Sequence, residues 1–253
     1  MNSFDHEIAL TCPIFEDPEA YLRLRAGRFL SGFLKRKAEE RALDVCLRGL
    51  DAVRTVCDAP CGPARLFPYW RGRGFRVFGV DLSTPMVEAA AREHRRLDLK
   101  GSVRRGDAFL LSDVMRETPD LVASVRFAYY FERIRRAGLL RSLAAVSRRY
   151  VLVQYKTTET LKGQIMEMRT RMKPRRPIKY FCSFQQTAEE VREAGLTCLR
   201  IVPIREFSDR VFVLAEKPHE ANRDRPYTVH FSGAGFGRGI LRRVWKAIAT
   251  KGG

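Results

Sequence analysis

The feature that most constrains this chain is the stretch 53–66, Val-Arg-Thr-Val-Cys-Asp-Ala-Pro-Cys-Gly-Pro-Ala-Arg-Leu. A short apolar run ends in an acid, Asp58. The chain then breaks at Pro60, Gly62 and Pro63 and resumes as Ala64-Arg65-Leu66-Phe67. A buried strand, a tight turn and a helix start are written this way. One βαβ unit later, Phe75-Arg-Val-Phe-Gly-Val-Asp81 is again an apolar strand closed by an acid. Ser83 and Pro85 then mark the next helix as N-cap and first-turn proline. Strand, glycine turn, helix, strand, acid is the layout of a site for a nucleoside-bearing ligand. The turn lets backbone approach the ligand, and the second acid accepts ribose hydroxyls.

The details narrow the ligand. A dinucleotide site wants Gly-x-Gly-x-x-Gly to seat a pyrophosphate on a helix N-terminus. Here Pro60 stands at the first glycine position, Gly62 is the only glycine in the loop, and Asp58 sits at its mouth. An acid there repels a pyrophosphate and suits an ammonium group. A ribose, an adenine-sized base and a cationic amino-acid end describe S-adenosylmethionine.

With these residues in hand the chain resembles the class I, Rossmann-like S-adenosylmethionine-dependent methyltransferases. Asp58-Ala-Pro-Cys-Gly-Pro-Ala-Arg65 is similar to their first motif and Gly79-Val-Asp81-Leu-Ser83-Thr-Pro-Met86 to their second. Gly106-Asp107-Ala108 is similar to the third, and the stretch from Asp120 through Ser124 to Tyr129-Tyr130-Phe131 to the fourth. Order and spacing agree over residues 20 to 217.

The resemblance implies a set of cofactor contacts. In the first motif these are Asp58 at the methionine end, Ala59, Cys61 and the Gly62 backbone, with Arg65 facing the cofactor carboxylate or solvating its helix. In the second they are Asp81 at the ribose hydroxyls, with Leu82 and Met86 as apolar contacts to adenine or as core. In the third and fourth they are Asp107 and Ala108 at the adenine edge, and Ser124. Tyr129 and Tyr130 stand where many small-molecule enzymes of this kind carry histidines. A tyrosine there orients an acceptor hydroxyl or forms an aromatic wall; core packing is the alternative reading. With an ordinary pKa of about 10 it is a poor general base. Methyl transfer from a sulfonium is an in-line displacement with a good leaving group, so alignment and water exclusion matter more than acid–base machinery. Glu132 and Arg126 also lie close enough to the fourth strand's end to face the cleft.

Strands are expected over 55–58, 75–81, from 103, 120–127, 150–155, 196–204 and 210–217, with helices between them. The fold class that follows is α/β: a doubly wound, mostly parallel seven-stranded sheet with an antiparallel last strand. An N-terminal helical extension precedes it. There Tyr21, Leu24, Phe29, Phe33 and Leu34 are spaced for one face, and 42–50 forms a second helix. By resemblance such helices form a partial lid; packing on the sheet edge is the alternative. Residues 1–50 are thus an arm and helices, 51–217 the cofactor-binding domain, and 218–253 a flexible basic tail. In the tail, Ile240, Leu241, Val244, Trp245 and Ile248 fall on one face of a short basic amphipathic helix.

Composition bears on partners. The net charge of +18 favours an anionic neighbour, whether substrate, membrane surface or nucleic acid. Six of the eleven residues from 169 to 179 are basic, and Met166, Met168 and Met172 precede or join them as an adaptable apolar wall. The expected acceptor is therefore a small or lipid-linked molecule, anionic or amphipathic, with peripheral membrane contact by the basic segments. An RNA methyltransferase is the nearest rival, although no RNA-binding module and no Asn/Asp-Pro-Pro-Tyr motif is present. A non-catalytic adaptor that keeps the fold is the third reading. No apolar run spans a membrane, no secretory signal is present, and the cysteines are unpaired in spacing, so a cytoplasmic location is expected. The four histidines fall outside the motifs, and no metal site is expected.

Overall fold

The computed structural model describes residues 17–26, 29–173, 178–218 and 226–230. The strands are β1 (Thr55–Asp58), β2 (Arg76–Asp81), β3 (Gly101–Arg105), β4 (Leu121–Ser124), β5 (Tyr150–Lys156), β6 (Thr197–Pro203), β7 (Arg210–Glu216) and the two-residue β8 (Thr228–Val229). They form one sheet in the order β3-β2-β1-β4-β5-β7-β6-β8. The first five strands run parallel, β7 is inserted antiparallel between β5 and β6, and β8 pairs parallel with β6. The sheet therefore has eight strands rather than seven, the eighth contributed by the stretch read from sequence as tail.

The helices are α1 (Pro18–Ala26), α2 (Phe29–Leu47), α3 (Phe67–Gly72), α4 (Thr84–Arg96), α5 (Arg133–Val146), α6 (Leu161–Met172) and α7 (Phe184–Glu193). Burial on both faces accounts for the unbroken apolar strands. Along β5, Val151 and Val153 pack with Leu139, Leu140 and Leu143 of α5. Leu152, pointing the other way, joins Leu43 and Leu47 of α2 with Phe67 and Trp70 of α3. Two layers of helix on one sheet leave only strand tips and loops free to carry chemistry.

Local chemistry sets the boundaries. Ser83 caps α4 by accepting from the Met86 N–H, and Ser183 with Gln186 closes a full capping box on α7. β4 ends at Ser124, three residues sooner than expected, because Arg126 takes a left-handed conformation (φ 64°) and residues 128–130 tighten into a 3₁₀ turn. In the N-terminal region α2 runs unbroken from Phe29 to Leu47, with no division between 34 and 42. Phe33 and Leu34, 46% and 52% exposed, do not lie on its packed face. That face is Glu39, Ala42, Leu43, Cys46 and Leu47, an i, i+3, i+4 stripe with an acid at its head. The amphipathic stretch 240–248 and the glycine run before it lie outside the described residues, as does the segment 174–177. No helix among the described residues is long and apolar enough to cross a membrane.

Candidate functional site

In an open α/β sheet, ligands bind beyond the carboxyl ends of the strands, where the strand order reverses. Here the reversal lies between β1 and β4: the chain winds from β1 to β2 and β3, then returns to place β4 on the other side. Asp58 closes β1 and Ser124 closes β4, so both stand at that point.

The turn after β1 is stitched to both neighbouring strands. The Ala59 N–H donates to the Ala123 carbonyl at 2.8 Å and the Cys61 N–H to the Val80 carbonyl at 2.9 Å. The Gly62 N–H donates to Asp81 Oδ2 at 2.7 Å, and the Ser83 N–H to Asp81 Oδ1 at 3.0 Å. Gly62 has φ 54°, and a Cβ placed on it would meet nothing within 4 Å, so the backbone borders open space. The result is a strand-to-helix turn built with one glycine and two prolines.

Asp58 is only 2% exposed, and Trp70 Nε1–H, at 3.3 Å, is the one side-chain donor bonded to it among the described residues. Burial pushes its pKa up to about 7, outweighing the opposite pull of the Trp70 bond and of the Arg65 charge. A buried carboxyl without a cation bonded to it is a good receptor for one.

The remaining expected contacts sort unevenly. Ala59 and Cys61 are buried in the turn, and the Cys61 thiol lies 3.4 Å from the Gly62 carbonyl. Leu82 is exposed at the rim, whereas Met86 is buried and faces the core. Asp107 Oδ1 accepts from the Phe109 N–H at 2.8 Å, Ala108 is buried, and the Gly106 N–H donates to the Asp81 carbonyl at 2.9 Å. The third motif is thereby tied to the second. Ser124 is fully buried, and its hydroxyl has no hydrogen-bond partner among the described residues. Tyr129 is buried, its ring centroid 4.7 Å from that of the half-buried Tyr130 with the two rings tilted at 53°, and its ring lies 5.7 Å from Lys156 Nζ.

Arg65 turns away from the role of a free cofactor partner. It pairs with Glu39 of α2 at 2.6 Å. Glu39 also accepts from Arg126 at 3.2 and 3.3 Å and from Gln154 Nε2 at 3.2 Å, with Arg210 at 3.9 Å. Burial acts upward on this carboxyl, yet Arg65, Arg126 and Arg210 together hold it down at about 2. The cluster gathers residues from α2, the β1 and β4 loops, β5 and β7. It fixes the N-terminal helix against the strand tips while α2 also packs along β6 and β7. Sequence reasoning missed Glu39; the available signal was an acid heading an otherwise apolar helical stripe. Glu132 instead accepts from Tyr180 at 3.1 Å.

Two further arrangements are structural. Lys156 and Asp209 form a buried ion pair beneath the Phe181 ring. Arg136 binds Glu190 in fork fashion at 2.5 and 2.8 Å and the Phe131 carbonyl at 2.6 Å, with Tyr155 completing the acid at 3.2 Å. A groove between α2 and α3, lined by Arg36, Glu40, Asp44 and Arg73, also reaches Glu39 and Arg65 of the cluster.

Comparison with known proteins agrees with this geometry. Residues 56–149 match the family model described as a methyltransferase domain. A stretch of 36 residues is 53% identical to the malonyl-[acyl-carrier protein] O-methyltransferase of Salmonella typhimurium strain LT2; the match covers 14% of each protein. Among solved structures, magnesium protoporphyrin IX methyltransferase from Synechocystis PCC 6803 with bound SAH superposes with a TM-score of 0.65 at 15% identity, covering 83% of this chain and 99% of that one. An S-adenosylmethionine-dependent methyltransferase from Clostridium acetobutylicum gives 0.61 at 10% identity, covering 79% and 99%. An O-methyltransferase from neocarzinostatin biosynthesis, in complex with SAH and 1,4-dihydroxy-2-naphthoic acid, gives 0.61 at 17%, covering 82% and 60%.

Proposed function

We propose that this chain, which carries a methyltransferase domain of the class I, Rossmann-like S-adenosylmethionine-dependent fold, methylates a small or lipid-linked acceptor with an anionic or amphipathic character. The observation that carries the reading is Asp58. It is buried at the reversal point beside an open glycine turn, and that burial raises its pKa to about 7. Its carboxylate would hold the ammonium of the cofactor's methionine end. Asp81, 8% exposed, accepts from the Gly62 and Ser83 N–H groups and would take the ribose hydroxyls. Leu82, Asp107 and Ala108 would border the adenine.

S-adenosylmethionine, when bound, supplies an electrophilic methyl on a sulfonium. The chain's own contribution is placement: two acids at neighbouring strand tips hold the two ends of the cofactor, and water is excluded from between. Tyr129 and Tyr130, on the 3₁₀ turn after β4, would orient the acceptor on the other side of the reversal point. Support for a small-molecule acceptor comes from the kinds of molecule named for the relatives, which include a porphyrin and an acyl-carrier-bound malonyl group.

The test is to incubate the protein with methyl-labelled cofactor and a cell extract and to partition the products. Label in the small-molecule or lipid fraction is the expected result. Label in nuclease-sensitive RNA, or no heat on titrating S-adenosylmethionine in a calorimeter, overturns the reading.

A further inference from the structure

We infer that Arg210, with Arg126 beside it, recognises a carboxylate or phosphate group carried by the methyl acceptor. The inference rests on the methyl-transfer reading for the nature of the ligand, though not for its charge. Three guanidinium groups share one carboxylate here, and the sharing is unequal. Glu39 is satisfied by Arg65 at 2.6 Å, Arg126 at 3.2 Å and Gln154 at 3.2 Å. Arg210 comes only within 3.9 Å of it, and its guanidinium makes no hydrogen bond among the described residues.

A guanidinium offers five donors in a rigid plane, and holding it largely out of water with none of them used is costly. Burial, and then the neighbouring Arg126 charge, lower the Arg210 pKa from its ordinary value. The side chain remains 22% exposed and that of Arg126 12% exposed, so a ligand can reach both. A planar fork with unspent donors matches a carboxylate or phosphate better than any neutral group.

Strand order sets Arg210 apart from the β1–β2 tips, while Glu39 links both arginines to Arg65 of the turn after β1. Asp58, Gly62 and Asp81 occupy the β1–β2 side of the reversal point. Arg210 opens β7, and β7 is separated from β1 by β4 and β5. Arg126 and the buried Tyr129 follow β4 on that same side. An acceptor whose reactive atom lies near the tyrosines can thus extend an anionic group towards Arg210. The other source of a carboxylate is the methionine end of the cofactor, and the experiment distinguishes the two.

Binding of benzoate, phenyl phosphate and the neutral isostere benzamide to the full chain is measured by calorimetry, and S-adenosylhomocysteine is titrated separately. In the wild type, benzoate or phenyl phosphate should bind at least tenfold more tightly than benzamide. In Arg210→Gln that preference should vanish, while S-adenosylhomocysteine affinity stays within twofold. Arg210→Lys keeps the charge without the fork and should keep part of the preference. It also serves as the readout should the glutamine variant fold poorly. Equal binding of anion and amide in the wild type, or an undiminished preference in both variants, overturns the inference. So does a tenfold loss of S-adenosylhomocysteine affinity with benzoate unaffected, which would place the cofactor carboxylate at Arg210. Failure of the wild type to bind S-adenosylhomocysteine overturns the methyl-transfer reading alone, since the anion series is read without it.

Discussion

The Gly62 N–H donates to the Asp81 carboxylate at 2.7 Å, joining the turn that follows β1 to the tip of β2. The acid expected to bind ribose therefore also holds the glycine turn in shape before any ligand arrives. Asp58 has no such duty; its one bonded side-chain donor is Trp70 at 3.3 Å. The two acids should respond differently to the same substitution.

Asp81→Asn exchanges a carboxylate oxygen for an N–H that faces a backbone donor. Each charge-assisted bond lost is worth about 1.5–3 kcal/mol, so urea denaturation should show a loss of that order without any ligand. S-adenosylhomocysteine affinity should fall as well.

Asp58→Asn removes a group that burial keeps reluctant to ionise. The sign follows from the raised pKa. Between the ordinary carboxyl value of about 3.8 and the folded value of about 7, the native state binds the extra proton, so stability falls as pH rises through that window. At pH 7.5 the asparagine variant should equal or exceed the wild type in melting temperature. Cofactor affinity should drop about 10- to 100-fold, the worth of one charged hydrogen bond.

Cofactor binding by the wild type should weaken towards acid pH. If a cation is held by ionised Asp58, with its pKa at about 7, affinity falls roughly tenfold between pH 7.5 and 6. Calorimetry across that range checks it, and Asp58→Asn should flatten the dependence. A flat wild-type profile would detach Asp58 from the ammonium.

Glu190→Ala leaves Arg136, 5% exposed, with a buried and unbalanced charge. Breaking such a pair from one side costs about 3–5 kcal/mol. Thermal unfolding should fall accordingly.

Gly101→Ala places a Cβ 1.9 Å from the Val77 carbonyl oxygen at φ 125°, at the first pair of the β2–β3 register. The backbone strain alone is about 1–3 kcal/mol. Loss of protection in hydrogen exchange should concentrate on β3.

Much of the frame could be read from the chain because it depends on local, periodic signals. Apolar strands buried on both faces, Ser83 and Ser183 as caps, and the acids closing β1 and β2 each announce themselves within a few residues. The motif turn was legible for the same reason. Long-range pairing was not. Glu39 meets Arg126, 87 residues away, and Gln154, 115 residues away, and no local pattern encodes those meetings. The motif leaves Arg65 open between a cofactor carboxylate and its own helix, and the fold brings Glu39 to it. Phe33 and Leu34 misled because their spacing fits a buried face, while the packed stripe of α2 begins at Glu39. The eighth strand was missed because two residues, Thr228 and Val229, are too short a run to show alternation.

That short strand also fixes a direction of travel. β6 runs the same way as β5, and β8 is parallel to β6, so the chain at His230 is heading for the rim that carries Asp58 and Asp81. Five strand spacings of about 4.8 Å separate it from β1, or roughly 24 Å. The described chain thus ends at His230 pointing towards the rim of the two acids rather than away from it.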